Sequence, residues 1–286
     1  MTGAFQRGLS DAFLDELLCG AAGVVLRACQ RRGLDVRLRD DKVNAYHAGR
    51  SVALIAWRAR KASVEVHRAY LVDGRIGAFG GRASRDNRVF DVDDGFAAAY
   101  DEHIDTLIER AKHHMGREEN IEFSLMQANS GPGAVFCFDR QIQVSGVRGR
   151  LDVMGVRADG SALVAIEVKR YPDPSIQEVP RQLHDYLEVF APGAGGLRAD
   201  VAASYRTVCA QLRLLGEPAP EPAFIAAGMP VDGLVVVADY NPRSQLLTRA
   251  HALADTLARP IHLWAPAAGD FTIPPPSGWT RMGTAA

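Results

Sequence analysis

Apolar residues recur along the chain with two periods, and the switches between them mark out its elements. From Leu9 to Arg32 the spacing is helical. Ser10 stands where an N-cap belongs, Asp11, Asp15 and Glu16 lie near the positive end, Arg27, Arg31 and Arg32 lie near the negative end, and Gly33 is a stop signal. One helix is predicted there. Four short runs with strand character follow: Leu34 to Arg39, Val43 to Ala48, Ser51 to Trp57 and Ala62 to Tyr70. The second alternates, with Val43, Ala45 and His47 facing one way. A small antiparallel sheet is expected, its exposed faces carrying Arg37, Arg39, Lys42, Arg58, Arg60, Lys61 and Arg68, with Trp57 and Tyr70 read as core aromatics. Leu71 to Arg88, with Gly74, Gly77, Gly80 and Gly81 among four arginines, reads as a linker. Asp93 or Asp94 then caps a helix from Phe96 to about His114.

The second half alternates differently. Arg117 to Asn129 is helical, with Ile121 and Leu125 as apolar positions, and Ser130-Gly131-Pro132-Gly133 ends it. Val135 to Val144 reads as a strand. Val153 to Val156 and Ala162 to Ile166 are apolar runs joined by Ala158-Asp159-Gly160-Ser161, whose Asp-Gly pair suits a tight turn. A helix is predicted from near Pro180 to Phe190 and another from Ala199 to Leu215. Gly233 to Ala238 is almost wholly apolar, as a strand covered on both faces should be. Ser244 to Ala258 is amphipathic, Ile261 to Trp264 reads as a last strand, and the tail from Ala265 reads as irregular. The predicted fold class is α/β, a mixed sheet flanked by helices, behind a small N-terminal α+β module. The expected division is 1–90, 91–270 and an irregular 271–286.

Composition narrows the classes. A chain of 286 residues with 47% hydrophobic and 23% charged residues has the balance of a globular protein of two domains. No apolar run is long enough for a membrane span, and the first residues lack the apolar core of a secretory signal. Cys19, Cys29, Cys137 and Cys209 are scattered without a CxxC pair, which argues against zinc or a disulfide scaffold and leads to a cytoplasmic expectation. The net charge of −1 conceals an asymmetry: residues 1–90 hold 16 Lys+Arg against 9 Asp+Glu, and the remainder 17 against 25. A basic module beside an acidic one suits a nucleic-acid partner, and ordinary arginine usage explains it as well.

Three charges sit where a buried hairpin should have none. Asp152 opens its first strand, and Glu167 and Lys169 close its second. Glu167 and Lys169 point one way and Val168 the other, so pairing of the strands would bring Asp152 and Glu167 together with the ammonium beside them. Paired carboxylates repel, and a divalent cation relieves that repulsion; Mg²⁺ takes one or two carboxylates and keeps its other positions for water and phosphate. A neighbouring ammonium positions water or stabilises charge on a phosphate. The arrangement suits metal-assisted phosphodiester hydrolysis.

Asp152 with Glu167-Val168-Lys169 resembles the D…(D/E)xK signature of the restriction-endonuclease-like, or PD-(D/E)xK, nuclease superfamily, although Leu151 stands where many relatives have proline. Gln182-Leu183-His184-Asp185-Tyr186 resembles the QhxxY motif of its RecB-type branch; Gln182 and Tyr186, four apart, share a helix face. The resemblance spans roughly 117–240. It implies a restriction-endonuclease-like mixed sheet, Mg²⁺ or Mn²⁺ held by Asp152, Glu167 and the Val168 carbonyl, water oriented by Lys169, and support for metal and DNA from Gln182 and Tyr186. It also implies an acid on the preceding helix, where Glu118 and Glu122 share a face; Glu118 is favoured and Glu122 stays open. The expected activity is that of a Mg/Mn-dependent deoxyribonuclease in repair or phage defence. The alternative is a silent nuclease-fold protein that binds nucleic acid or a protein partner, and a homodimer is compatible with either.

Overall fold

Gly20 breaks the first helical run into α1 (Asp11–Cys19) and α2 (Ala21–Arg31). Its backbone is extended, and the Glu16 carboxylate takes the space beside it and accepts from the Ala22 N–H at 3.0 Å, capping α2. Ser10 occupies the N-cap of α1 without a side-chain bond; its own N–H donates to Asp41 Oδ1 at 2.6 Å. This computed structural model describes residues 5, 7–71, 76–114, 117–144, 146–193 and 195–283, without the side chains of 77, 78 and 117–119.

The first sheet is antiparallel, in the order β1-β2-β3-β4-β6-β5. Its strands are β1 (Asp35–Arg39), β2 (Lys42–His47), β3 (Arg50–Arg58), β4 (Lys61–His67), β5 (Arg82–Ser84) and β6 (Asn87–Asp91). Of the stretch read as a linker, 82–88 belong to a hairpin whose β6 pairs with β4 from Ser63↔Asp91 to His67↔Asn87, and 72–75 lie outside the described residues. Arg37, expected on an exposed face, is buried against Asp35, because a cation this close to a carboxylate can be desolvated with it. Tyr70 is buried, as expected of a core aromatic, whereas Trp57 is half-buried and stacks on Phe13 with ring centroids 5.7 Å apart. Asp93 caps α3 (Asp94–Lys112) by accepting from Phe96 N at 2.8 Å.

The second sheet is mixed, in the order β12-β11-β10-β9-β8-β7. After α4 (Arg117–Ala128) come β7 (Val135–Ile142), β8 (Leu151–Arg157), β9 (Leu163–Arg170), α5 (Val179–Phe190), α6 (Ala199–Leu214), β10 (Val231–Ala238), α7 (Gln245–Asp255), β11 (Ile261–Trp264) and β12 (Thr280–Arg281). β9, β10 and β11 run parallel, and β7, β8 and β9 antiparallel. On one face Ile121, Leu125 and Met126 of α4 join Val153, Val164, Ile166, Val168, Leu234 and Val236 in a single core. On the other, α5 covers the sheet so closely that a Cβ on Gly233 would stand 3.0 Å from Leu187. The two helices therefore sandwich the central strands.

Contacts divide the chain at other points than the sequence pattern suggests. One unit comprises 7–120 with 211–217, the other 1–6, 121–210 and 218–286. The boundary expected at 90/91 thus falls at 120/121, since α3 belongs with the first sheet. The 271–286 tail, expected to be irregular, supplies β12 and buries Ile273, Trp279 and Met282. The result is an α/β protein with two six-stranded sheets and seven α-helices among its described residues, none of them long and apolar enough to cross a membrane.

Candidate functional site

β8 and β9 pair in register from Val156↔Leu163 to Val153↔Ile166, and one step further sets Asp152 opposite Glu167. Asp152 Oδ2 accepts from the Val168 N–H at 2.8 Å. The Lys169 ammonium is 3.9 Å from Asp152 Oδ2 and 3.8 Å from Glu167 Oε2, and it donates to the Val168 carbonyl at 3.1 Å. Lys169 thus bridges both carboxylates. Glu167 is wholly buried, and its Oε2 makes no hydrogen bond among the described residues.

The Gln182 and Tyr186 side chains reach the site from α5. Gln182 Nε2 lies 3.3 Å from Glu167 Oε1. Tyr186 is buried, and its hydroxyl finds no hydrogen-bond partner among the described residues. Gly149, at φ +94°, lets the backbone pass close to both: a Cβ there would be 3.4 Å from Gln182 Nε2 and 3.7 Å from the Tyr186 hydroxyl. Burial, and then Glu167, push the Tyr186 phenol up, so it stays protonated as a donor.

The structure brings Glu122, one of the two helix acids, to the site. Glu118 begins the same helix, and its side chain lies outside the described residues. Glu122 is buried and accepts at Oε2 from Arg140 NH2 at 2.9 Å and Gln141 Nε2 at 2.7 Å; that same Gln141 nitrogen is 3.4 Å from Asp152 Oδ1. Arg140 and Gln141 were not singled out in the sequence. They sit in an ordinary-looking strand, and the only signal was a polar Asp-Arg-Gln run in the middle of it. Asp173 caps a 3-10 turn, accepting from Ser175 N at 2.7 Å. Arg148 and Arg150, flanking Gly149, are exposed.

The electrostatics favour an added cation. Burial, followed by Asp152, holds the Glu167 carboxyl well above its usual range despite Lys169. Burial and then Asp152 raise Glu122 to about 7, against Arg140 and Gln141. Among the described residues no group of three or more His, Cys, Asp or Glu side chains is arranged as a metal cage. The expected donor set is of another kind, two carboxylates and the Val168 carbonyl. It fits a hard divalent cation: the bond-less buried Glu167 oxygen is what such an ion would satisfy, and a positive charge already lies among the three. No protein-family model, curated protein or solved structure matches this chain.

Proposed function

We propose that this chain is a metal-dependent nuclease of the PD-(D/E)xK type, hydrolysing phosphodiester bonds in DNA. One observation carries the reading: Lys169 bridges Asp152 and Glu167 on adjacent antiparallel strands, with Gln182 arriving from the following helix. The chain order helix, three strands, two helices, parallel strand around a mixed sheet suits a restriction-endonuclease-like core. Asp152, Glu167 and the Val168 carbonyl are the residues that would hold Mg²⁺ or Mn²⁺, which when bound polarises a phosphate oxygen and acidifies water. The Lys169 ammonium orients the attacking water and donates to charge that develops on the phosphate. Gln182 fixes the Glu167 carboxylate, and the Tyr186 hydroxyl is a free donor beside it. Arg148 and Arg150 are exposed cations able to hold the phosphate chain. The RecB-type motif favours DNA as substrate by likeness alone.

The test is Lys169→Ala on labelled DNA with Mg²⁺ and Mn²⁺. The fold should persist while cleavage falls by at least about 10²-fold. Retained metal-dependent cleavage would rule the assignment out. A wild-type protein whose thermal stability ignores Mn²⁺ would instead support the silent nuclease-fold reading.

A further inference from the structure

β7 is distorted at two places. Its register against β8 shifts between Cys137 and Asp139, so the strand is bulged. Just beyond, Gln141, one residue before the end of β7, adopts φ +51°. Left-handed backbone is disfavoured for a side chain such as glutamine, and glycine or asparagine would relieve it. Strain of this kind persists where the surroundings enforce it, often at functional sites.

The consequence is visible in the hydrogen bonds. Consecutive strand residues normally point to opposite faces. Here Arg140 and Gln141 both reach the same oxygen, Glu122 Oε2. Arg140 pairs across the strands with Val153, on the α4 side of the sheet. Gln141 lies between the pairs Arg140↔Val153 and Ile142↔Leu151, which sets it opposite Asp152 and makes a row of Gln141, Asp152 and Glu167 across three strands. Its amide leaves that row to meet α4. Gln141 therefore joins the acid on the helix to the carboxylate pair on the hairpin.

The chemistry of that link is specific. A primary amide nitrogen has two hydrogens, so it can face two carboxylates at once and hold their spacing. It does so without adding charge. Arginine or lysine there would compete with a divalent cation, and glutamate would add repulsion.

We infer that Gln141 is a positioning residue of the metal site, held in a strained conformation so that its amide spans Glu122 and Asp152 and presets the acidic cluster for a divalent cation. The inference rests on the nuclease reading. Gln141→Asn suits the left-handed backbone and keeps an amide, but is one methylene too short to span the two acids. Gln141→Gly removes both strain and amide. Wild type and both variants would be titrated with Mn²⁺ alone by calorimetry, alongside thermal melts. Expected in both variants is an unchanged or raised Tm with Mn²⁺ affinity weakened about 10- to 100-fold. Wild-type Mn²⁺ affinity in the folded variants overturns the inference and leaves the nuclease reading intact. So does a Tm loss beyond about 5 °C in both, since that marks Gln141 as a simple stabilising contact. A wild type that neither binds Mn²⁺ nor cleaves DNA removes the nuclease reading, and this inference with it.

Discussion

Glu122 ties the site to pH through the direction of its shift. In the fold burial and Asp152 raise it to about 7, against an ordinary value near 4.5. A raised carboxyl favours the protonated form in the native state, so its contribution to stability is complete below the ordinary value and is lost as pH rises through about 7. Glu167 is shifted in the same direction by its own burial. The metal-free protein should therefore lose stability as pH rises from about 4.5 to about 7, with Glu122 as a cause. Denaturant melts of wild type and Glu122→Gln across that window check this; parallel curves would remove Glu122 as the cause. Because a divalent cation needs the ionised carboxylates, the Tm gain from Mn²⁺ should grow from pH 5.5 to pH 8.

α5 delivers Gln182, and its placement depends on how its far end is held. Arg259 NH1 donates to Leu187 O at 2.9 Å and Ala191 O at 2.7 Å, and NH2 donates to Val231 O at 3.1 Å. One guanidinium thus satisfies the last carbonyls of the helix and ties them to the start of β10. Replacing Arg259 by Met keeps much of the apolar stem and removes the donor to the Ala191 and Val231 carbonyls, while Leu187 O still accepts from Ala191 N at 2.8 Å. A loss of about 2–4 kcal/mol is expected, read as a lower urea midpoint, with cleavage per folded molecule close to wild type. An unchanged midpoint would show that water caps the helix equally well.

The unit holding the second sheet is completed by the last part of the chain. Asn129 Oδ1 accepts from Ile273 N at 2.9 Å, and its amide donates to Phe271 O at 2.7 Å, stitching the end of α4 to 271–273. Ile273 and Trp279 enter the same core as α4 and the central strands, and Met282 is buried as well. At about 1.5–3 kcal/mol for each large apolar side chain, removal of 271–286 forfeits a share comparable to the whole net stability of a domain. A 1–270 protein should be insoluble or melt far below the full chain, and a matching melting curve would show that these contacts contribute little.

Local pattern determined most of the elements, because burial enforces periodicity: the apolar run of β10, the Asp-Gly turn between β8 and β9, and the Asp93 cap of α3 were all legible along the chain. The proximity of Asp152, Glu167 and Lys169 was legible too, since strand alternation and one hairpin register suffice to set it. Four features were decided only by the tertiary structure. The break at Gly20, the placement of 82–91 in the first sheet, the buried tail and the reach of Gln141 from the hairpin to α4 each depend on partners distant in sequence or on a backbone conformation that no residue type announces. Glutamine in a left-handed strand position has no local preference to betray it; the contacts around it hold it there.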